Sequence, residues 1–351
     1  MNKQEILKSF IDRFADLPIQ GSEQWLINRK FTIGGSDMPI LVGANPYSNI
    51  RELIEQRIGL RTFTGNMYTK WGSVLEVLVV KILEKEWKCK VYETGSLPGV
   101  VPGQKYSPDG LLYIDFINKI VLIEIKCAAR RAAANKIPKM YLPQLLTGLD
   151  TIRIADIGLF IDVMFRRCSI QSFMFNTYYD YAFHSRKYVE LPIALCAVCM
   201  YEEKATDYFN AFKEQYNTNG WVDIGGCSID DMEFVFNAIS SNILKVYYPS
   251  YITDSEVKSS SIIDECIEYC ESNEFNIISI LPLKIFEFKT LKLDRNSWRK
   301  KKSSKSKSVE PSYVESHKCI IDTVIQQIRN LDGMEPEEQK KELDILYPPK
   351  I

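Results

Sequence analysis

The spacing of apolar residues predicts helices early in the chain and strands after them. Apolar positions at helical spacing predict a first helix over 3–17 and a long, mostly buried helix over 67–87. Ser22 is a suitable N-cap for a short helix at 22–30, and the Gly-Gly-Ser turn at 34–36 opens another. A further helix is predicted at 138–151. The predicted strands are 89–94, 109–115, 119–127, 155–164, 168–177 and 192–200.

Beyond about residue 228 the pattern changes. We predict helices at 229–246, 254–271 and 316–331, and one β-like stretch at 275–290. Thr253 to Glu256 has the spacing of a capping box. The basic, Ser-rich run from Arg299 to Ser308 is typical of a solvated loop, and a DNA-binding arm or a nuclear-localisation signal is the alternative.

These elements predict an α/β (α+β) fold with a mixed central sheet flanked by helices. We expect a core over residues 1–220 and a mostly helical C-terminal extension over 221–351. The pattern leaves the role of that extension open between a DNA clamp, an assembly surface and a partner-binding surface.

Composition excludes few classes of protein. The 351 residues are 46% hydrophobic and 25% charged, which excludes a wholly disordered chain. The net charge of −1 does not by itself indicate nucleic-acid binding, although a cleft can collect the basic side chains. The nine cysteines lack the paired spacing of a zinc site, and His184 and His317 are too far apart for one. No apolar run nears the roughly 18 residues that span a bilayer, so we expect an intracellular, cytoplasmic protein without a membrane partner.

The candidate chemistry lies in Ser107-Pro108-Asp109-Gly110 and, after fourteen residues, Glu124-Ile125-Lys126. Side chains alternate along a strand, so Glu124 and Lys126 share one face while Ile125 points to the other. A hairpin turn at Asn118-Lys119 would place Asp109 beside Glu124. Two acids and a lysine can therefore converge.

This composition suits phosphodiester hydrolysis. Asp109, Glu124 and the main-chain oxygen of Ile125 are the oxygen ligands that Mg²⁺ prefers, and Lys126 can orient or help deprotonate the attacking water. A hairpin with two unrelated acids and a surface lysine would show the same spacing. The apolar strand around Glu124 favours the metal site, because a buried carboxylate is costly unless it is paired or metal-bound.

Four ordered blocks between residues 25 and 165 resemble the lambda-exonuclease-like branch of the PD-(D/E)xK nucleases, also called YqaJ-like viral recombinases. The blocks are Arg29–Asp37 with Gly43–Tyr47, Trp71–Glu76, Ser107–Gly110, and Glu124–Lys126 followed by Tyr141 and Gln144. The resemblance implies a restriction-endonuclease-like core. It departs at Leu146, where many relatives carry a second glutamine.

The resemblance also implies roles for single residues. Asp109, Glu124 and Glu76 match the family's metal-binding acids and Lys126 its catalytic lysine, while Gln144 matches a glutamine that holds the substrate or the lysine. Arg29 and Ser36, with Gly35 between them, match the residues that grip a terminal 5′-phosphate. A helix-surface Glu76, an ordinary polar Gln144 and a helix cap beside a surface Arg29 are the structural alternatives.

The implied function is a 5′→3′ exonuclease that uses Mg²⁺ or Mn²⁺, with two ions in the site, to degrade duplex DNA from 5′-phosphorylated ends. It leaves 3′ single strands for recombination, repair or replication, with a single-strand annealing protein as a candidate partner and a homo-oligomer as a candidate assembly. If the protein is viral, the host cytoplasm or the viral replication site is the expected location. The alternatives are a structure-selective or repair endonuclease on the same fold and a DNA-binding protein with an idle site.

Overall fold

The structure is a computed structural model, and everything below concerns the residues that it describes. These are 2–18, 22–62, 67–128, 131–170, 192–199, 222–223, 244–248, 259–273, 276–295, 297 and 311–348.

Five helices and a 3-10 turn precede the sheet, and polar caps fix where several of them begin. They are α1 (Lys3–Arg13), α2 (Glu23–Arg29), the 3-10 turn Gly35–Asp37, α3 (Met38–Leu41), α4 (Ile50–Arg57) and α5 (Met67–Trp87). Asn2 and Glu5 form a capping box on α1, and the Ser22 side chain accepts the Trp25 N–H at the start of α2. The predicted helices at 22–30 and 67–87 are confirmed. Helix α1 is shorter than predicted, because Phe14 already leaves helical geometry.

The main sheet is mixed, as predicted. Its strands are β1 (Val91–Tyr92), β4 (Gly110–Ile114), β5 (Lys119–Cys127), β6 (Ile157–Arg167), β7 (Pro192–Cys199), β8 (Val222–Asp223), β9 (Leu244–Tyr247) and β10 (Asn276–Asp294); β2 (Leu97–Pro98) and β3 (Lys105–Tyr106) pair separately. The order is β1-β4-β5-β6-β10-β7-β9, with β8 beside β10. Strands β5 and β6 are parallel, whereas β4–β5 and β6–β10 are antiparallel.

Strand β5 is buried on both faces, and its alternation decides where the polar residues point. Val121, Ile123 and Ile125 pack with helix α5 on one face. Ile120 and Leu122 pack on the other face with helix α6 (Leu142–Thr151). Since Glu124 and Lys126 continue the second set, they point to the α6 side of the sheet.

The C-terminal residues cover this second face. They contain α7 (Ser259–Ser272), α8 (Tyr313–Ser316), α9 (Lys318–Leu331) and α10 (Pro336–Leu346). Val314, Ile321 and Ile325 pack in the same core as α6. The Arg295 guanidinium donates to the carbonyls of Leu149, Ile152 and Ala155 at the end of α6. The C-terminal residues therefore pack directly on the element that carries Gln144.

Several predictions from the sequence need correction. The helix predicted at 229–246 is wrong at its end, because Leu244–Tyr247 form a strand whose backbone pairs with β7. The strand predicted at 89–94 is only two residues long. Residues 168–170 are not in a strand, and the rest of 168–177 lies outside the described residues. So do 229–243, the capping box from Thr253 to Glu256, the basic run from Arg299 to Ser308, and His184.

Strand β10 confirms the predicted β-like stretch at 275–290 and is longer than expected. It lies between β6 and β7 and so joins the sheet that was expected to belong to residues 1–220. The division at residue 220 stays a prediction. None of the described helices is long and apolar enough to cross a bilayer.

Candidate active site

The β4–β5 hairpin brings the two halves of the sequence motif together. Gly110 pairs with Ile123, so Asp109 lies just ahead of β4 and beside the middle of β5. Its Oδ2 atom accepts the Ile125 N–H at 2.6 Å and lies 3.7 Å from the Lys126 ammonium. The structure therefore places Asp109 next to the Glu124-Ile125-Lys126 segment, as the hairpin pattern predicts.

Glu124 is completely buried and has two partners. The Lys126 ammonium donates to its Oε1 atom, and the Tyr106 hydroxyl donates to Oε2 at 3.2 Å. Lys126 also donates to the main-chain oxygen of Ile125 at 2.9 Å. The ammonium thus lies among the oxygen atoms of Asp109, Glu124 and Ile125, which are the three predicted metal ligands of the hairpin.

Glu76 reaches the same place from helix α5. Burial and the nearby Asp109 carboxylate raise the pKa of Glu76 to about 8. Burial and Asp109 likewise raise the pKa of Glu124 to about 7, although Lys126 opposes the shift. Burial favours a neutral Lys126, but Glu124 and Asp109 outweigh it and raise the Lys126 pKa. The site is therefore a cluster of three acids around one ammonium.

Charge and donor type in this cluster fit a divalent cation. One ammonium cannot neutralise three carboxylates, which is why two of them hold protons more tightly than free carboxylic acids do. Among the described residues, no group of three or more His, Cys, Asp or Glu side chains is arranged to hold a metal. Asp109, Glu124 and the Ile125 oxygen suit Mg²⁺ even so, because this ion commonly takes one or two carboxylates and keeps several waters.

One cavity of about 350 Å³ unites most of the predicted site residues. The members of the predicted set that line it are Arg29, Gly35, Ser36, Glu76, Asp109, Lys126 and Gln144. Glu124 lies just behind Lys126, to which it is bonded. The structure therefore brings together residues that are up to 115 positions apart in the chain.

At the other end of this cavity, Arg29 is held by three neighbours. Its Nη2 atom lies 3.2 Å from the Ser36 hydroxyl and 3.3 Å from Asp37, and its guanidinium lies 4.9 Å from the centre of the Trp25 ring. The buried Asp37 also accepts from Arg57 at 2.5 Å. Two guanidinium groups share one carboxylate here, so this end of the cavity carries an excess of positive charge.

Tyr106 connects the two ends of the cavity. A Cβ atom at Gly35 would lie 2.3 Å from its ring, and one at Gly148 would lie 2.4 Å from it. Only glycine fits at either position, because the Tyr106 ring fills the space between the 34–36 turn and helix α6. The hydroxyl of this enclosed ring is the group that bonds Glu124.

Our sequence reasoning missed Tyr106, Asp37 and Arg57. Tyr106 directly precedes the Ser107–Gly110 block, and Asp37 ends the Arg29–Asp37 block, so both positions were in view without a role. Buried Asp37, 4% exposed, implies a nearby cation, and that signal could have led to Arg57.

An acid ahead of a strand that carries Glu-x-Lys, joined by a helical glutamate, is the arrangement of the PD-(D/E)xK class. Residues 24–151 match the YqaJ-like viral recombinase domain, and the chain belongs to this family.

Relatives at the level of whole proteins are more distant. The chain is 27% identical over 228 residues to a protein of African swine fever virus, isolate Tick/South Africa/Pretoriuskop Pr4/1996, covering 56% of this chain and 65% of that protein. It is 26% identical over 228 residues to the protein of the same name from strain Badajoz 1971 Vero-adapted. The chain thus spans just under two thirds of these relatives.

Two solved structures are similar over smaller parts. An alkaline exonuclease (LHK-Exo) from Laribacter hongkongensis is 23% identical, covering 41% of this chain and 74% of that one, with a TM-score of 0.32. The structure of SSO0001 is 20% identical, covering 42% and 74%, with a TM-score of 0.25.

Proposed function

We propose that this protein is a metal-dependent deoxyribonuclease that degrades duplex DNA from 5′-phosphorylated ends in the 5′→3′ direction. The observation that carries the proposal is the single cavity that contains both Glu76, Asp109 and Lys126 and the Arg29–Ser36 pair. The acidic end suits hydrolysis of a phosphodiester, and the basic end suits a terminal phosphate. The family membership of residues 24–151 supports a role in DNA recombination.

The acidic end would hold Mg²⁺, or Mn²⁺ in its place, through Asp109, Glu124 and the Ile125 oxygen, with Glu76 close enough to bind a second ion or a metal-bound water. When bound, such ions activate the attacking water and neutralise the charge on the phosphate and the leaving oxygen. Tyr106 and the Ile125 N–H hold the two ligand carboxylates in place. That positioning is the contribution of the fold.

Lys126 has a different task. Its pKa is raised, so its ammonium is charged and can only donate hydrogen bonds. Since Lys126 lines the cavity beside Glu76 and Asp109, it can hold the attacking water or a phosphate oxygen at the point of reaction. Gln144, on α6, can bond the same substrate group from the helix side.

At the basic end, Arg29 and Ser36 offer a guanidinium and a hydroxyl 3.2 Å apart. A terminal phosphate can accept from both, and a guanidinium contacts phosphate oxygens in a bidentate manner. Gly35 adds no side chain, which leaves this wall open to the phosphate. Anchoring of the terminal phosphate here would place the next phosphodiester near Lys126 and so set the direction of degradation.

The test uses linear duplex DNA labelled at one end, with either a 5′-phosphate or a 5′-hydroxyl, and Mg²⁺. We expect progressive loss of the 5′ label and faster degradation of the phosphorylated end. Arg29→Ala should abolish that preference while residual cutting persists. Lys30→Ala is the matched control, because Lys30 is the next residue and pairs at 2.6 Å with Asp332. Cuts in closed circular DNA would instead show an endonuclease, and loss of the 3′ label first would contradict the proposed polarity.

A further inference from the structure

A second cavity, of about 490 Å³, adjoins the active site. It shares Glu76, Lys126 and Tyr141 with the first cavity, so the proposed reaction centre lies where the two meet. Its remaining wall carries aromatic and hydroxyl side chains in addition to Arg131. The residues that matter here are Tyr47, Tyr68, Tyr141, Thr69, Ser73 and Arg131.

The lining is aromatic without being strongly basic. Tyr47 is 80% exposed, on the loop between α3 and α4. Tyr141 is fixed, because its ring stacks on Phe160 with the centroids 5.3 Å apart. Arg131 is paired with both carboxylate oxygens of buried Asp162, so its positive charge is largely balanced. The walls therefore suit flat, uncharged groups better than phosphate groups.

We infer that this cavity binds the unpaired nucleobases of the degraded strand directly 3′ of the scissile phosphate, with Tyr47 as the main stacking surface. The inference rests on the proposed function and deepens it. With the terminal phosphate at Arg29 and the scissile phosphate at Lys126, the strand continues past Lys126, and this cavity opens there. Aromatic stacking accepts every base, so the site should not select a sequence.

The first test measures binding in EDTA, so that the DNA stays intact. The probe is a 5′-phosphorylated duplex with two unpaired 5′ nucleotides, the second of them 2-aminopurine, whose fluorescence falls on stacking. Wild type should quench it. Tyr47→Ala should remove the quenching and weaken binding roughly 5- to 150-fold. Tyr47→Phe should restore both, because stacking needs the ring and not the hydroxyl.

Phe116→Ala is the matched control, since Phe116 is a 74% exposed aromatic residue on the hairpin outside this cavity. It should leave quenching and affinity unchanged. An abasic second nucleotide should weaken binding to wild type but not to Tyr47→Ala. If quenching, affinity and the abasic effect are all unaffected by Tyr47→Ala while the 5′ ends are still degraded in Mg²⁺, the nucleobase site is refuted and the proposed function stands. If no DNA is degraded but the Tyr47 effects appear, the proposed function fails and the site remains as a DNA-binding site.

Discussion

Replacing Tyr106 with Phe should weaken metal binding without disturbing the fold. The change removes one hydroxyl from a fully buried ring and leaves the contacts with Gly35 and Gly148 intact. The lost hydrogen bond, 3.2 Å long, is to a carboxylate, and such bonds contribute about 1.5–3 kcal/mol. At about 1.4 kcal/mol for each tenfold change, Mn²⁺ or Mg²⁺ should bind roughly 10- to 100-fold more weakly.

The assay is a titration of catalytic rate and of calorimetric metal binding at pH 8. Because the Tyr106 hydroxyl lowers the pKa of Glu124, its removal should also move the acid limb of the pH–rate profile to higher pH. High metal concentration should recover most of the rate. Tyr113→Phe is the control, since this tyrosine bonds Asp115 at the surface of the same hairpin. An unchanged metal affinity and pH profile for Tyr106→Phe would refute the positioning role.

Three further predictions concern stability and protons. Gly35→Ala should lower stability by about 1–3 kcal/mol, because the added methyl group would lie 2.3 Å from the Tyr106 ring; Gly72→Ala, with open space around its Cβ, should not lower the melting temperature, and equal melting temperatures would contradict the packing argument. Asp37→Ala should cost about 3–5 kcal/mol in denaturant unfolding by leaving Arg29 and Arg57 without their shared carboxylate, whereas Asp332→Ala, which breaks the exposed pair with Lys30, should cost at most about 1 kcal/mol; similar losses would argue against the buried cluster. Glu76 and Glu124 have pKa values near 8 and 7 in the folded state against about 4.5 when unfolded, so the metal-free protein should lose stability as the pH rises from 4.5 to 8, and Mg²⁺ binding at pH 7 should release protons, which calorimetry in buffers of different ionisation enthalpy would detect; heats independent of the buffer would contradict this.

The site was more predictable than the sheet around it. Alternation along 119–127 placed Glu124 and Lys126 on one face, and the turn at Asn118 placed Asp109 beside them, since Asn118 adopts the left-handed conformation that such turns need. Both depend on local geometry that a sequence encodes directly. The apolar stripe of 67–87 likewise fixed the helix that carries Glu76.

Long-range packing was harder to predict. Nothing local shows that β10 lies between β6 and β7, because strand pairing over more than a hundred residues depends on the whole core. For the same reason Leu244–Tyr247 were expected in a helix and form a strand. The role of Tyr106 depends on two glycines, Gly35 and Gly148, that meet only in the folded protein.

Digestion of linear duplex DNA by wild type, Lys126→Ala and Lys119→Ala, each with Mg²⁺ or EDTA, tests the central claim most directly. Lys119 is on the same strand as Lys126, is 43% exposed and lies near Asp156, away from the acid cluster. Degradation that requires Mg²⁺, persists in Lys119→Ala and disappears in Lys126→Ala is the predicted result. DNA left intact by wild type in Mg²⁺, or degraded equally by Lys126→Ala, would contradict a hydrolytic site at Asp109, Glu124 and Lys126.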